Sequence, residues 1–540
     1  MDNHLISRAF SLYAELLQLH GDDTRLADWL AGAAYRIRNL EEPLINLSKD
    51  DLAAQFRPEI VEIIREGKKR GRIEALEELI QLTPPGLFDM MHIKGLGGHK
   101  LHVLWQDAKI DDVEALLSAA KAGEISKLPG FGKKTEANII EAIEALNNNA
   151  QFYHYASIIE LADDFVEGLQ RVFNTSLVSL CGNIRRQTTT IERIEVIAAA
   201  LVGEKQLKRL MTIDEQNASR INGHTLDEIA VTIYLCEPRD FYKELFLRTG
   251  TLAHTSKVKG ADFSSEEAIY KSAGLPFIVP ELREDVAEWE WSKNPQPLIT
   301  MQDITGVVHN HTDWSDGVDR LESFVKACQR KGYEYVVISD HSQNAHYAGG
   351  LKPDKVLRQF EAIDRLNNQF IDFKIFKSIE CDILVSGDLD YDAALLNEFD
   401  LVIASVHQQL KMAEEKATAR IIKAIENPFT TILGHMTGRQ LLVRPGYPLN
   451  FKKVIDACAA NGVVIEINAN PYRLDMDWSH VPYALQKGVM ISINPDSHSI
   501  HEIDNIRWGV SAARKGGLTK SMTWNAQSLD FVEQWLKTRR

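Results

Sequence analysis

From about residue 300 onward the hydrophobic positions fall into short continuous runs: ITGVVH, YEYVVIS, FKIFKSI, DLVIASV, FTTILG, VVIEINA and VMISIN. Helix-like stretches separate them. This alternation predicts parallel βα units, and about seven of them predict a barrel. In such barrels the chemistry sits at the carboxyl ends of the strands. Residues 1–150 read instead as mostly helical. Two segments there, MHIKGLGGHKLHVLW (91–105) and ISKLPGFGKKTEANIIEAI (125–143), each place a Gly-x-Gly turn before an amphipathic helix. The pattern divides the chain into 1–85, 86–150, 151–290 and 300–540. A connecting path over about 285–302 is rich in Trp, Glu and Pro.

The runs of the last segment end in metal-binding residue types. The first gives His309 and His311, with Asp316 in the loop beyond. In a strand, residues i and i+2 share a face, so the two imidazoles are expected to aim at one spot. The second run gives Asp340 and His341, the third is followed by Glu380, the fourth by His407 and the fifth by His435; Asp496 and His498 end INPDSHS. A lone His-x-His is more often a surface pair. Six such clusters at the catalytic ends of successive strands point to a divalent-metal centre. Arg439 and Arg473 also follow strand ends and are candidates for clamping a phosphate, against the plainer alternative of salt bridges.

Length and composition narrow the class. With 540 residues the chain is too long for one core. At 44% hydrophobic and 25% charged residues it has the composition of a water-soluble globular protein, and no apolar run reaches membrane-spanning length. The five cysteines, Cys181, Cys236, Cys328, Cys381 and Cys458, form no CxxC, which with the lack of a signal-like start fits a reduced, cytoplasmic protein. The net charge of −15 excludes a globally basic coat but not DNA binding through local patches. Gly95, Gly97 and Lys100, and again Gly130, Gly132, Lys133 and Lys134, are placed to let a phosphate approach the backbone at a helix N-terminus. Both segments resemble helix-hairpin-helix motifs, which grip the DNA backbone without reading sequence.

The ligand series resembles that of the PHP (polymerase and histidinol phosphatase) domain, a distorted βα barrel. The resemblance implies three divalent ions, Mn²⁺ or Zn²⁺ with Fe also possible. One would take His309, His311, Glu380 and Asp496, a second Glu380, His407 and His435, and a third Asp316, His341 and His498. Clustered metals bind phosphoryl oxygens and lower the pKa of bound water, which implies phosphoester hydrolysis.

Helix-hairpin-helix segments, a middle domain and a PHP barrel in this order resemble the bacterial family X DNA polymerases (PolX) over essentially the whole chain. The expected fold is multidomain, α+β and α/β, with a nucleotidyltransferase-like palm and thumb between the helical region and the (βα)7 barrel. Landmarks of the middle are CGNIRRQTTTIERIEV, FLRTGTLAHTSKV and AIYKSAGLPFIVPELRE. The first departs from the family pattern of Gly-Ser-x-Arg-Arg followed by Asp-x-Asp. Gly182, Arg185 and Arg186 match, Asn183 replaces the serine, and Arg193 and Glu195 stand where the aspartates belong. Thr232, in VTIYLCEP, takes the place of the third carboxylate. Arginine puts a positive charge where a metal should sit, so templated synthesis is expected to be weak or absent. The alternative is a different register served by Glu192, Asp214 or Asp227. The Schiff-base lysine of family members that remove deoxyribose phosphate falls on Ile63, with Lys68 and Lys69 a turn or more away.

The resemblance thus implies a 3′→5′ exonuclease or 3′-end processor acting on gapped or 3′-ended DNA. A working gap-filling polymerase with an attached exonuclease is the alternative. A phosphatase of small molecules, which has no use for two helix-hairpin-helix segments, and a non-catalytic DNA-binding module, which has no use for nine metal ligands, stand behind it.

Overall fold

A computed structural model describes residues 3–539 apart from 39, 41, 42, 92, 94, 150 and 201–206. The chain separates into two compact units, 1–150 and 151–540.

The described residues of the first unit are helical and enclose two apolar cores. Phe10, Leu30, Ile60 and Leu76 belong to one; Leu87, Leu101, Leu116 and Ile139 to the other. Helix starts and stops follow local chemistry. Ser48 and Asp51 form a reciprocal capping box at the start of Lys49–Gln55, and Pro58 opens Pro58–Arg70, which Gly71 ends at φ 73°. In the two Gly-x-Gly segments, Gly95 and Gly130 take φ 93° and 80°, conformations that favour glycine. The second leads into the long helix Lys133–Asn149. The first leads only into Gly98–His102, followed by a π-helical turn at Val103–Asp107, rather than into the longer amphipathic helix that the pattern predicts.

The second unit opens with β1 (Tyr153–His154) and a long helix, Tyr155–Phe173. Next come β2 (Val178–Leu180), β3 (Thr190–Ile191), β4 (Ile194–Ala198), β5 (Met211–Gln216), β6 (Arg220–Thr225) and β7 (Ala230–Leu235). β1 and β3 pair with each other, and the other five form a sheet in the order β2-β4-β7-β6-β5. Only β4 and β7 run parallel, so Glu195 lies opposite Thr232. Ile194, Val196, Val231 and Ile233 hold this sheet against Ile158, Ala162, Phe165 and Leu169 of the long helix.

The barrel strands are β8 (Gly306–Asn310), β9 (Tyr335–Ile338), β10 (Lys374–Asp382), β11 (Leu401–Ser405), β12 (Thr430–Leu433), β13 (Val464–Asn468) and β14 (Ile491–Asn494). All are parallel and pair in sequence order. Backbone bonds from His311 to Ser497 (2.8 Å) and from Ser497 to His309 (3.3 Å) bring the first strand to the end of the last, so the barrel is nearly closed. Trp524 and the C-terminal helix Leu529–Arg539 pack against Tyr335, Leu401 and Val464, the first residues of three strands. The amino end is thereby plugged, and the carboxyl end carries the site.

Sheet and barrel share a buried ionic joint. Lys515, fully buried on the barrel helix Ile506–Lys515, donates to Glu284 and to the Arg186 carbonyl, each at 2.7 Å. Arg186 reaches Glu284 at 3.1 Å, and Arg514 pairs with Glu281 at 2.7 Å. Burial pushes the Lys515 ammonium down, and Glu284 opposes this.

Candidate metal centre

At the carboxyl end of the barrel the strands do not stay regular. His309 takes φ 65° and Asp496 φ 52°, left-handed conformations that cost an L-residue roughly 1–2 kcal/mol each. The register between β8 and β9 shifts between Val307 and Asn310, and His311 lies past the strand end. The two imidazoles thus converge, with ring centroids 5.4 Å apart, through a bulge and a left-handed residue rather than through the i, i+2 alternation of a flat strand. Glu380 lies inside β10 rather than after it.

Glu380 is the hub. One carboxylate oxygen lies 2.9 Å from His435 Nε2, 3.1 Å from His407 Nε2 and 3.2 Å from His309 Nε2. The other lies 2.9 Å from His341 Nδ1 and 3.6 Å from His311 Nε2. Asp496 reaches His311 Nε2 at 3.1 Å, and Asp316 reaches His498 Nε2 at 3.5 Å and His341 Nε2 at 3.7 Å. All nine residues singled out from the strand ends are brought together. Their donor atoms form four overlapping groups: His311, Asp316, His341 and His498; His309, Glu380 and His435; His309, His311 and Asp496; His341, Glu380 and His407. This differs from the partition that the resemblance implies. His435 groups with His309 rather than with His407, and His311 also joins the Asp316 group.

The donor set fits divalent cations. His309 Nε2, His311 Nδ1, His341 Nδ1, His435 Nδ1 and Glu380 Oε2 are buried and, close as His309 and His341 come to Glu380, none of these atoms makes a well-aligned hydrogen bond, an expensive arrangement unless ions take up lone pairs here. The electrostatics agree. Burial alone would raise Glu380 and Asp496, yet the histidines around them hold both well below the usual carboxylate range. Burial would likewise lower His309, but Glu466, Glu380 and Asp496 hold it well above the ordinary histidine value.

Three further carboxylates orient this set; sequence reasoning missed two of them, Glu466 and Asp382, and named the third, Asp340, with His341. Glu466, buried in β13, accepts from His309 Nδ1 at 2.6 Å, from the His435 backbone at 3.0 Å and from Asn494 at 2.7 Å. It fixes which ring nitrogen of His309 faces the cluster. Asp382 does the same for His407 at 2.5 Å. Asp340, buried beside His341, accepts from Thr312, Ser315 and Gln359 and so braces the loop that carries His311 and Asp316. The signal available in the sequence is a carboxylate inside or directly after an otherwise apolar run.

The two arginines part company. Arg439 binds Asp477 at 2.6 Å and the carbonyls of Arg473 and Leu474, so each of its guanidinium nitrogens is engaged by protein, the plainer alternative for it. Arg473 faces the cluster, its Nε 3.8 Å from Asp496.

The middle sheet gathers a different set. Arg193 Nη1 lies 3.5 Å from Thr232 Oγ1 while Nη2 pairs with Glu192 at 2.9 Å. Thr232 donates to Asn222, and Glu195 accepts from Tyr234 at 3.1 Å. Gly182 has φ 63°, and a Cβ there would fall 1.9 Å from Glu195 Oε2. The Asn183 amide oxygen accepts from Arg186 at 2.5 Å. Asp214 in β5 pairs with His224 in β6 at 2.9 Å, and Asp227 follows β6 in a turn. Among the described residues, the only groups of three or more metal-type side chains lie in the barrel.

In the first unit, Lys100 of the first Gly-x-Gly segment donates to the Gly95 carbonyl at 2.9 Å and lies over Phe131 of the second. Lys133 and Lys134 open the helix behind Gly130 and Gly132. Ile63 packs against the core, and Lys68 donates to the Leu47 carbonyl at 3.0 Å.

Comparison with known proteins agrees with this anatomy. Residues 308–470 match the model of the PHP domain, and residues 89–145 that of the SAM-like helix-hairpin-helix tandem. A probable phosphatase of Thermoanaerobacter sp. is 26% identical over 43% of this chain and 94% of its own. One from Clostridium acetobutylicum is 28% identical over 33% of this chain and 75% of its own. A nearly closed seven-stranded parallel barrel with clustered His, Asp and Glu at its carboxyl end makes this a PHP-domain protein. The DNA polymerase/3′-5′ exonuclease PolX of Bacillus subtilis is 30% identical over 98% of this chain and 99% of that protein. The chain belongs to the PolX family.

Proposed function

We propose that this chain is a metal-dependent DNA phosphoesterase, a 3′→5′ exonuclease or 3′-end processor acting in repair, on a polymerase frame that no longer synthesises DNA. The observation that carries the reading is the contrast between nine converging donors in the barrel and a sheet where Glu195 faces Thr232 and the neighbouring Glu192 is paired with Arg193. Three Mn²⁺ or Zn²⁺ ions bound in the barrel would polarise the scissile phosphate and lower the pKa of an attacking water. Glu380, Asp496, Asp316 and the six histidines would hold those ions, and Glu466 and Asp382 keep His309 and His407 in the required tautomers. Arg473 is positioned to take a phosphate oxygen beside Asp496. The two Gly-x-Gly turns with Lys100, Lys133 and Lys134 would hold the DNA backbone. The unpaired cysteines support a reducing compartment such as the cytoplasm.

The test is a 5′-labelled primer in a gapped duplex with Mn²⁺. The wild-type chain shortens the primer from its 3′ end, and His309→Ala does not. An intact primer with the wild type, or shortening that survives in His309→Ala, contradicts the reading. The relative's name, which includes DNA polymerase, favours a second reading as a gap-filling enzyme. Arg193 between the expected metal positions counts against it.

A further inference from the structure

At the mouth of the barrel one aromatic side chain, Tyr347, has most of its surface in water, while partial burial and the nearby carboxylates of Glu380, Asp382 and Asp316 push its phenol up. Tyr347 is 68% exposed, in a turn nine residues past the end of β9. The turn is fixed. Leu351 donates to the His341 carbonyl at 2.8 Å, Ala345 to Ser342 at 3.0 Å and Gly350 to Ala345 at 3.1 Å. Gly349 takes φ 68°, and a Cβ on Gly350 would lie 2.0 Å from the Ser342 carbonyl oxygen. The Tyr391 hydroxyl donates to the Leu351 carbonyl from beneath. The Tyr347 ring therefore stands at a set place, 6.2 Å from the ring of the candidate ligand His341 and tilted 59° to it. Among the described residues its hydroxyl makes no hydrogen bond to protein. Tyr472, 59% exposed beside Arg473, differs in that His154 packs edge-on against it at 4.8 Å.

A large apolar face kept in water on a rigid turn, beside a centre that would grip a phosphate, suits a flat ligand attached to that phosphate. We infer that Tyr347 is a stacking platform for the nucleobase of the 3′-terminal nucleotide, whose phosphodiester would lie on the Glu380 cluster. The inference rests on the nuclease reading and deepens it. Every base has a π-face, so such a subsite prefers a terminus that carries a base over one that lacks it, without choosing among the four. It also separates this chain from a phosphatase of small molecules that carry no ring.

Two measurements on the full chain test this. A single-stranded oligonucleotide ending in 2-aminopurine is titrated in EDTA, where stacking quenches its fluorescence. The KM for an ordinary 3′ end is then compared, in Mn²⁺, with that for the same oligonucleotide ending in an abasic residue. The wild type and Tyr347→Phe are expected to quench the probe and to prefer the base-bearing end roughly tenfold. Tyr347→Ala is expected to lose both the quench and the preference. Quench and preference surviving in Tyr347→Ala overturn the inference. So does their loss in Tyr347→Phe, which would assign the effect to the hydroxyl. A wild-type chain that hydrolyses a small phosphomonoester but leaves both oligonucleotides intact overturns the nuclease reading itself, and the stacking subsite with it.

Discussion

The sheet of the middle segment and the barrel behind it are both scaffolds on which carboxylates from neighbouring strands can meet, and they have fared differently. In the barrel, Glu380 in β10 collects imidazoles from four other strand ends, and every neighbour that orients them is in place. In the sheet, Glu195 still faces Thr232 across the β4–β7 pair, but its neighbours are Arg193, Tyr234 and Asn183. On the function proposed above, the sheet would dispense with a metal-binding face at little cost, because its stability lies elsewhere. Ile194, Val196, Val231 and Ile233 belong to an apolar core of which the half-buried Arg193 and Glu195 and the buried Thr232 are not part. The barrel site has no such separation. All of its donors but Asp316 and His498 are almost wholly buried, two sit in left-handed backbone, and Glu466 and Asp382, which orient His309 and His407, lie in barrel strands. A fold whose core stands apart from a site is expected to outlive that site more easily than a fold whose site is built into its own buried strand ends.

Replacing the hub tests this contrast most severely. Glu380→Gln removes the charge that several imidazoles share. It should lower phosphoester hydrolysis by about 10³-fold or more, roughly 4 kcal/mol of transition-state stabilisation, as read from kcat/KM. The joint between sheet and barrel comes next. Lys515→Ala leaves Glu284 buried and short of a partner and should cost about 3–5 kcal/mol, seen as a fall in Tm, whereas Lys515→Met should cost less. Glu466→Gln, which keeps the shape but weakens the hold on His309, should reduce metal affinity about 10- to 100-fold in a competition titration with a chelator. The smallest effect is expected in the sheet. Arg193→Asp should change Tm by less than about 1 kcal/mol equivalent and should still give no primer extension, because Thr232 remains. Extension by that single variant would mean that the two regions differ less than their side chains imply.

The barrel was legible because its signal is repetitive. Seven apolar runs at regular spacing and a metal-type residue at or near the end of six of them announce both fold and site. What was not legible depended on long-range partners or on local backbone. Glu466 read as part of the run VVIEINA, and only the fold brings it to His309, 157 positions away. The bulge that aims His309 leaves no clear mark in a Val-Val-His-Asn-His pattern, because histidine, though it takes left-handed backbone more often than most residues, does so only in a small minority of positions. Arg439 and Arg473 looked alike in the chain. The carbonyls and Asp477 that engage the first come from the loop that carries the second. In the middle segment Arg193, Glu195 and Thr232 were legible residue by residue as departures from the pattern that the resemblance implies. That Arg193 approaches Thr232 and that Glu195 pairs with Tyr234 required the strand register.

The central claim is that one of the two sites works and the other does not. The most direct measurement silences the first and looks for the second: Glu380→Gln, a labelled primer on a gapped duplex, Mn²⁺ and all four deoxynucleotides. With hydrolysis removed, any synthesis would accumulate unopposed. The account predicts a primer of unchanged length. A primer lengthened across the gap would contradict it and show that Arg193, Glu195 and Thr232 support nucleotidyl transfer after all.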